Sequence, residues 1–140
     1  MNANILLPVM VLVGWTFVVL LNIPFRRFRA AFRREVTELD FRHGESARVP
    51  PDVSIPNRNL MNLLETPVLF YVICFVYLSS GAALGNFVLL AWIYVALRII
   101  HSFIHLTYNR VRHRMLVFAA SNVVLVVMWT RLLAALLEGS

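Results

Sequence analysis

The chain has 140 residues, 60% of them apolar and 14% charged, and both figures depart from a soluble globule in the same direction. Its thirteen basic residues are all arginine, against seven acidic ones, for a net charge of +6. Such an excess can mark a nucleic-acid binder, but here the arginines flank apolar runs, so membrane topology accounts for them and nucleic acid is set aside as a partner. Cys74 stands alone, which excludes an internal disulfide; in mid-span it reads as a packed apolar residue.

No charged side chain occurs between Met1 and Phe25. A helix of about 20 apolar residues crosses a bilayer core, so this run predicts a first span over 5–29. A cleaved signal peptide is the competing reading. No basic segment precedes the run, however, and Asn22-Ile23-Pro24-Phe25 is not a small-residue cleavage site, so the span is expected to be retained. A polar loop follows, broken by Gly44, Pro50, Pro51 and Pro56. The second span is expected over 57–80, with Pro67 interrupting its hydrogen-bond ladder in a way membrane helices tolerate. An uncharged turn at 81–85 leads to a third span over 86–107. The basic connection at 108–114 leads to a fourth over 115–136. The expected fold is thus all-α, a single integral-membrane four-helix bundle over 1–140.

Arginine counting sets the orientation. Arg26, Arg27, Arg29, Arg33, Arg34, Arg42, Arg48 and Arg58 lie in or at the end of the first loop, and Arg110, Arg112 and Arg114 in the third; the N-terminus and the 81–85 turn hold none. Both basic loops are therefore expected in the cytoplasm and both termini outside.

Ionisable residues within membrane helices are costly and face a bundle interior, a cavity or a partner. On the second span Arg58, Asn62 and Glu65 are spaced i, i+4, i+7; at about 100° per residue they fall within about 60° of arc. On the third, Arg98, His101 and His105 form a similar stripe with Ser102 beside it. Two antiparallel neighbours joined by a short turn would bring the stripes together as a polar cleft on the cytoplasmic side. Arginines there would clamp carboxylates, and Glu65 would receive an ammonium group, a set suited to a zwitterionic or polyanionic small ligand. Blander readings stand beside this one. Arg58 can be an interfacial arginine, Glu65 and Arg98 can form an ion pair holding helices together, and Arg110 and Arg112 can be plain topogenic charges. His101 and His105 have the spacing of a zinc pair, but no cysteine or further carboxylate accompanies them, so no metal site is expected.

Arg58-Asn59-Leu60-Met61-Asn62-Leu63-Leu64-Glu65 resembles the Arg-x-x-x-Asn-x-x-Glu signature of the MAPEG family, the membrane-associated proteins in eicosanoid and glutathione metabolism. Arg98, His101, His105 and Arg114 resemble its second signature, and the resemblance covers nearly the whole chain. It is nearest to the uncharacterised bacterial branch, which implies a multi-pass protein of the bacterial inner membrane. The resemblance further implies a homotrimer with glutathione in clefts between subunits. Arg58, Asn62 and Glu65 would contact the peptide, Arg98 would sit at the base of the cleft, and His101 would touch the ligand. Arg114 would stabilise the glutathione thiolate, with Arg112 matching the corresponding spacing in the leukotriene synthase branch. One arginine among Arg26, Arg27 and Arg29 would reach in from a neighbouring subunit. His105 departs from the Tyr of the active eukaryotic branches, and Thr66 from a Tyr that follows the Glu in some members. Arg114 with a protonatable His105 is expected to supply the cationic environment a thiolate needs. The implied function is a membrane glutathione transferase or peroxidase acting on lipophilic molecules that enter from the bilayer, with glutathione as cosubstrate. The alternative is a non-catalytic membrane protein that binds lipid or glutathione.

Overall fold

A computed structural model describes residues 3–138; Ser140, where the external C-terminus was placed above, lies outside them. After a single 3-10 turn, α1 (Leu6–Phe32) runs unbroken through Pro24. Its 27 residues extend for about 40 Å, more than the ~30 Å hydrocarbon core, so its arginine-rich end stands in the interfacial layer. The helix stops where Arg34 turns left-handed (φ +59°), with the Glu35 amide donating to the Ala30 carbonyl at 3.0 Å and the Arg34 amide to Ala31 at 2.9 Å. These two bonds cap carbonyls the helix leaves unpaired.

The arginine-rich loop is tethered rather than loose. Asp40 is buried and accepts from the Thr37 amide (2.9 Å), the Thr37 hydroxyl (3.0 Å) and the Ser46 hydroxyl (2.7 Å). Arg27 pairs with Glu45 at 3.0 Å and lies 4.5 Å over the Phe41 ring. Ala30, Val36, Val49 and Val53 close a small apolar cluster beneath. The bond from the Thr37 backbone, then those from Ser46 and Thr37 side chains, hold the Asp40 carboxyl below its ordinary range. A depressed carboxyl contributes stability above its unfolded pKa of about 4 and loses it as pH falls through the lower folded value. Asp40→Asn is therefore expected to raise amide exchange across residues 36–49 at neutral pH. In wild type the same increase is expected only below about pH 4.

The second span starts at Pro51, six residues before the expected boundary, because a proline at the first helical position lacks only an N–H the helix does not use. It is two helices: α2 (Pro51–Leu64) and α3 (Thr66–Ser80), hinged at Glu65 (φ −87°, ψ −92°). Pro67 cannot donate back into α2, so the ladder breaks there and restarts. Gly81, at φ +68°, ends α3 in a left-handed conformation that glycine adopts without strain. Then come α4 (Phe87–Leu106) and α5 (Val111–Glu138). Among the described residues four segments are long and apolar enough to cross a membrane, with α2 and α3 together forming one of them, and α4 is the most enclosed of the four. It packs directly on α1, α2 and α5, and reaches α3 through two aromatic stacks, Phe70–Tyr94 at 4.5 Å and Tyr77–Phe87 at 4.1 Å.

Candidate functional site

The position of α4 decides what its polar stripe can do. Arg98, His101, Ser102 and His105 are all buried, and Arg98 is wholly so (0% exposed). One Arg98 nitrogen, Nη2, donates to the Asn62 carbonyl of α2, and the guanidinium lies 5.3 Å from the centre of the Phe118 ring of α5. Its Nε and Nη1 have no hydrogen-bond partner. Glu65 is near enough to attract Arg98 electrostatically but does not contact it; the one ion pair within 4.0 Å among the described residues is Arg27–Glu45. The direct Glu65–Arg98 pair considered above does not form within the chain.

One turn on, His101 Nδ1 lies 3.0 Å from the Arg114 carbonyl. A carbonyl only accepts, so Nδ1 carries the proton and Nε2 is left with a lone pair and no partner. Ser102 accepts from Trp15 Nε1 of α1 at 2.8 Å and from Asn59 Nδ2 of α2, which ties three spans together; Asn59 Oδ1 remains unpaired. Unpaired buried polar atoms are rare, and each costs ~1–3 kcal/mol. Here two donors on Arg98 and an acceptor on His101 are left open on α4, and an acceptor on Asn59 is left open on α2 beside it. Their chemistry matches a molecule carrying both a carboxylate and N–H groups, and within the single chain all of them are enclosed.

Arg114 closes the arginine-rich end. Its Nη1 donates to Asn109 Oδ1 at 2.7 Å and meets the His105 ring, 3.2 Å from Nε2 and 3.4 Å from Nδ1. A guanidinium has only donors, so His105 meets it as an acceptor. Asn109 sits at φ +48° in the turn between α4 and α5, a conformation asparagine tolerates better than most residues.

The structure thus gathers Arg98, His101, His105, Arg114 and the Asn62 backbone. It leaves Arg58, Glu65 and Arg112 exposed on the outside of the single chain, and Asn62 half-buried with its amide on the Arg58 carbonyl at 3.0 Å. The expected face-to-face meeting of two stripes is therefore not completed within one chain. The reason is rotational. The inward face of α2 is Pro56, Asn59 and Leu63. A stripe at 58, 62 and 65 lies largely to one side of that face, since neighbouring residues differ by about 100°. Asn59, Trp15 and Asn109 carry interactions that the sequence reading missed. Asn59 had a signal in its spacing with Pro56 and Leu63; Trp15 lies in a uniformly apolar run and had none.

Comparison with known proteins places the chain in a family. No curated protein and no solved structure matches the chain. The model of the MAPEG family, however, matches residues 5–134, nearly the whole chain, including all of both polar stripes. This multi-pass membrane protein belongs to the MAPEG family.

Proposed function

We propose that the protein binds glutathione between the copies of a homotrimer and uses its thiolate on a lipophilic substrate, by transfer or, with a second glutathione completing the disulfide, by reduction of a hydroperoxide to alcohol and water. The observation that carries this reading is Arg98, a fully buried guanidinium with two unused donors and no contacting acid. A ligand carboxylate would satisfy one of these donors and a second ligand acceptor the other, through charge-assisted bonds. Arg58, Asn62 and Glu65 border the same region from α2, and their exposure leaves them open to a ligand shared with a neighbouring copy. In this reading Glu65 receives the glutathione ammonium, Asn62 and Arg58 contact the peptide, and His101 offers Nε2 to an N–H. Among the α1 arginines, Arg27 is committed to Glu45 and Phe41, so the reach into a neighbouring site falls to Arg26, which would exchange its bonds to Asn22 and the Asp52 carbonyl for the ligand.

Arg114, oriented by Asn109 and His105, stabilises the thiolate, while exposed Arg112 serves as a topogenic charge or as its substitute. In the transfer reaction the thiolate sulfur forms a bond to an electrophilic carbon, and the displaced electron pair takes a proton or departs with its leaving group. The lipophilic substrate reaches the site from the bilayer. An apolar groove of about 280 Å³ between α1 and the α2–α3 hinge, lined by Phe17, Leu20, Leu60, Leu64 and Tyr71 among others, supports such an entry. Replacement of Tyr by His105 favours the second reading, a membrane protein that holds glutathione and lipid without turnover.

Calorimetric titration with glutathione tests the site. Glu65→Gln and Asn62→Ala are each expected to leave a folded trimer whose affinity is about tenfold weaker, ~1.4 kcal/mol. Wild type that binds no thiol, with Glu65→Gln collapsing the assembly, would leave only a structural role for these groups. We further place the protein in the cytoplasmic membrane with its arginine-rich end inside. Reporter fusions at Gly44 and His113 are then expected to be cytoplasmic, and fusions at Leu84 and Ser140 external; an external Gly44 would put the site on the wrong side for cytosolic thiol.

A further inference from the structure

The arginine-rich end of α1 carries two interleaved stripes. Phe25, Phe28 and Phe32 are 66%, 66% and 89% exposed. Arg26, Arg29 and Arg33 repeat the same i, i+3, i+7 spacing one residue later, which places them about 100° round the helix. Two hollows lie side by side there. One, of about 300 Å³, is polar and is lined by Asn22, Arg26, Glu35 and Asp52 as well as Phe25, Arg29, Ala30 and Arg33. The other, of about 460 Å³, is lined only by Phe25, Phe28, Phe32, Arg29 and Arg33.

Within the polar hollow Arg26 is already engaged, its Nε on Asn22 Oδ1 at 3.2 Å and its Nη1 on the Asp52 carbonyl at 2.8 Å. Arg29 and Arg33 make no side-chain hydrogen bond or ion pair among the described residues. The carboxylates Glu35 and Asp52 border the polar hollow but not the phenylalanine groove. An anion is therefore favoured on the groove side, where Arg29 and Arg33 are the only charges. This segment begins about where the hydrocarbon core ends, some 20 residues into the span, so its arginines stand at headgroup depth with apolar rings beside and below them. Large exposed aromatics next to unpaired arginines are complementary to an amphiphile that is anionic at one end and apolar at the other.

We propose that this groove binds an anionic glycerophospholipid of the surrounding leaflet, its phosphate held by Arg29 and Arg33, its glycerol backbone beside Phe28 and Phe32, and its acyl chain descending past Phe25 into the core. The site is separate from the α4 stripe and does not rest on the glutathione reading. Its test uses the full-length protein in phosphatidylcholine vesicles containing 10% spin-labelled lipid, with either a phosphatidylglycerol or a phosphatidylcholine headgroup. Wild type is expected to immobilise the anionic probe preferentially. Arg29→Gln and Arg33→Gln should each reduce that preference, by about fivefold per arginine. Phe28→Ala/Phe32→Ala should weaken immobilisation of both probes. Helical content and thermal stability, recorded beside each variant, separate lost lipid binding from lost folding. Inorganic phosphate distinguishes the sources of the anion: failure to displace the lipid probe supports a headgroup site, and full displacement at millimolar concentration would make this a free-phosphate site instead. No headgroup preference in wild type would overturn the proposal. So would a well-folded Arg29→Gln/Arg33→Gln variant that keeps the preference, or Phe28→Ala/Phe32→Ala disassembling the oligomer without altering lipid binding, which would assign the groove to a second copy of the chain.

Discussion

Arg98→Met is expected to raise the thermal stability of the ligand-free protein while weakening glutathione binding by at least about a hundredfold. The two halves of this result come from the same geometry. Arg98 is wholly buried, keeps two nitrogens without partners, and has no acid in contact. Replacing a buried ionic group by an apolar one of similar length commonly stabilises by about 1–4 kcal/mol, because the desolvation cost disappears. Against this stand the lost bond to the Asn62 carbonyl and the ring contact with Phe118. These are worth about 1 kcal/mol each, so a net gain of about 1 kcal/mol is the reasonable expectation. For the ligand the balance reverses. Two charge-assisted hydrogen bonds, one to a carboxylate and one to a second ligand acceptor, contribute ~1.5–3 kcal/mol apiece, which together exceed the ~2.7 kcal/mol of a hundredfold change in affinity.

Thermal unfolding in detergent without thiol, and calorimetry with it, measure the two halves separately. If Glu65 of an adjoining copy pairs with Arg98 in the assembly, methionine would strand that carboxylate and lower stability by ~3–5 kcal/mol. A drop of that size would return Arg98 to a structural role. Arg98→Lys is the companion variant: it keeps the charge but not the planar fork, so binding should be impaired with little of the stability gain.

That a buried arginine could be read from sequence at all follows from the membrane. In an apolar run lacking charge from Thr66 to Leu97, Arg98 followed by His101 and His105 has few bland explanations, and the structure buries all three. Pro67 likewise marked the interruption of the second span, although not that α2 and α3 would hinge at Glu65. Periodicity states which residues share a face but not which way the face turns. Arg58, Asn62 and Glu65 do share one, yet the packing of Pro56, Asn59 and Leu63 against the bundle turns it outward. The start of α2 was misplaced for a related reason: Pro50, Pro51 and Pro56 read as loop breakers, whereas Pro51 opens a helix that tolerates Pro56 in its second turn. Trp15 was illegible because one more large apolar residue in a span carries no sign that its indole N–H will bridge to Ser102.

Arg114→Ala should depress turnover far more than binding. Its guanidinium is fixed by the Asn109 side chain at 2.7 Å and lies against the His105 ring at 3.2 Å, at the end of the line that starts with Arg98. If a ligand carboxylate occupies Arg98, a thiol further along an extended peptide can reach Arg114, whose permanent positive charge favours thiolate over thiol. Removing one preorganised donor from a developing or resident anion costs about 10²–10³ in rate. Affinity for the whole peptide, held mainly elsewhere, should fall by no more than about tenfold. Asn109→Ala supplies the graded case. Asn109 touches no substrate in this scheme and acts by positioning Arg114, so its loss should lower kcat with KM little changed and shift the pH–rate profile towards alkaline values, since a less well placed cation stabilises the thiolate less. The measurements are the ultraviolet absorbance of bound thiolate and steady-state turnover against a lipophilic electrophile such as a halogenated nitrobenzene. A wild-type protein that binds glutathione but shows neither thiolate absorbance nor turnover would establish the binding-protein reading. Arg114→Ala with unchanged thiolate absorbance would move the role to Arg112.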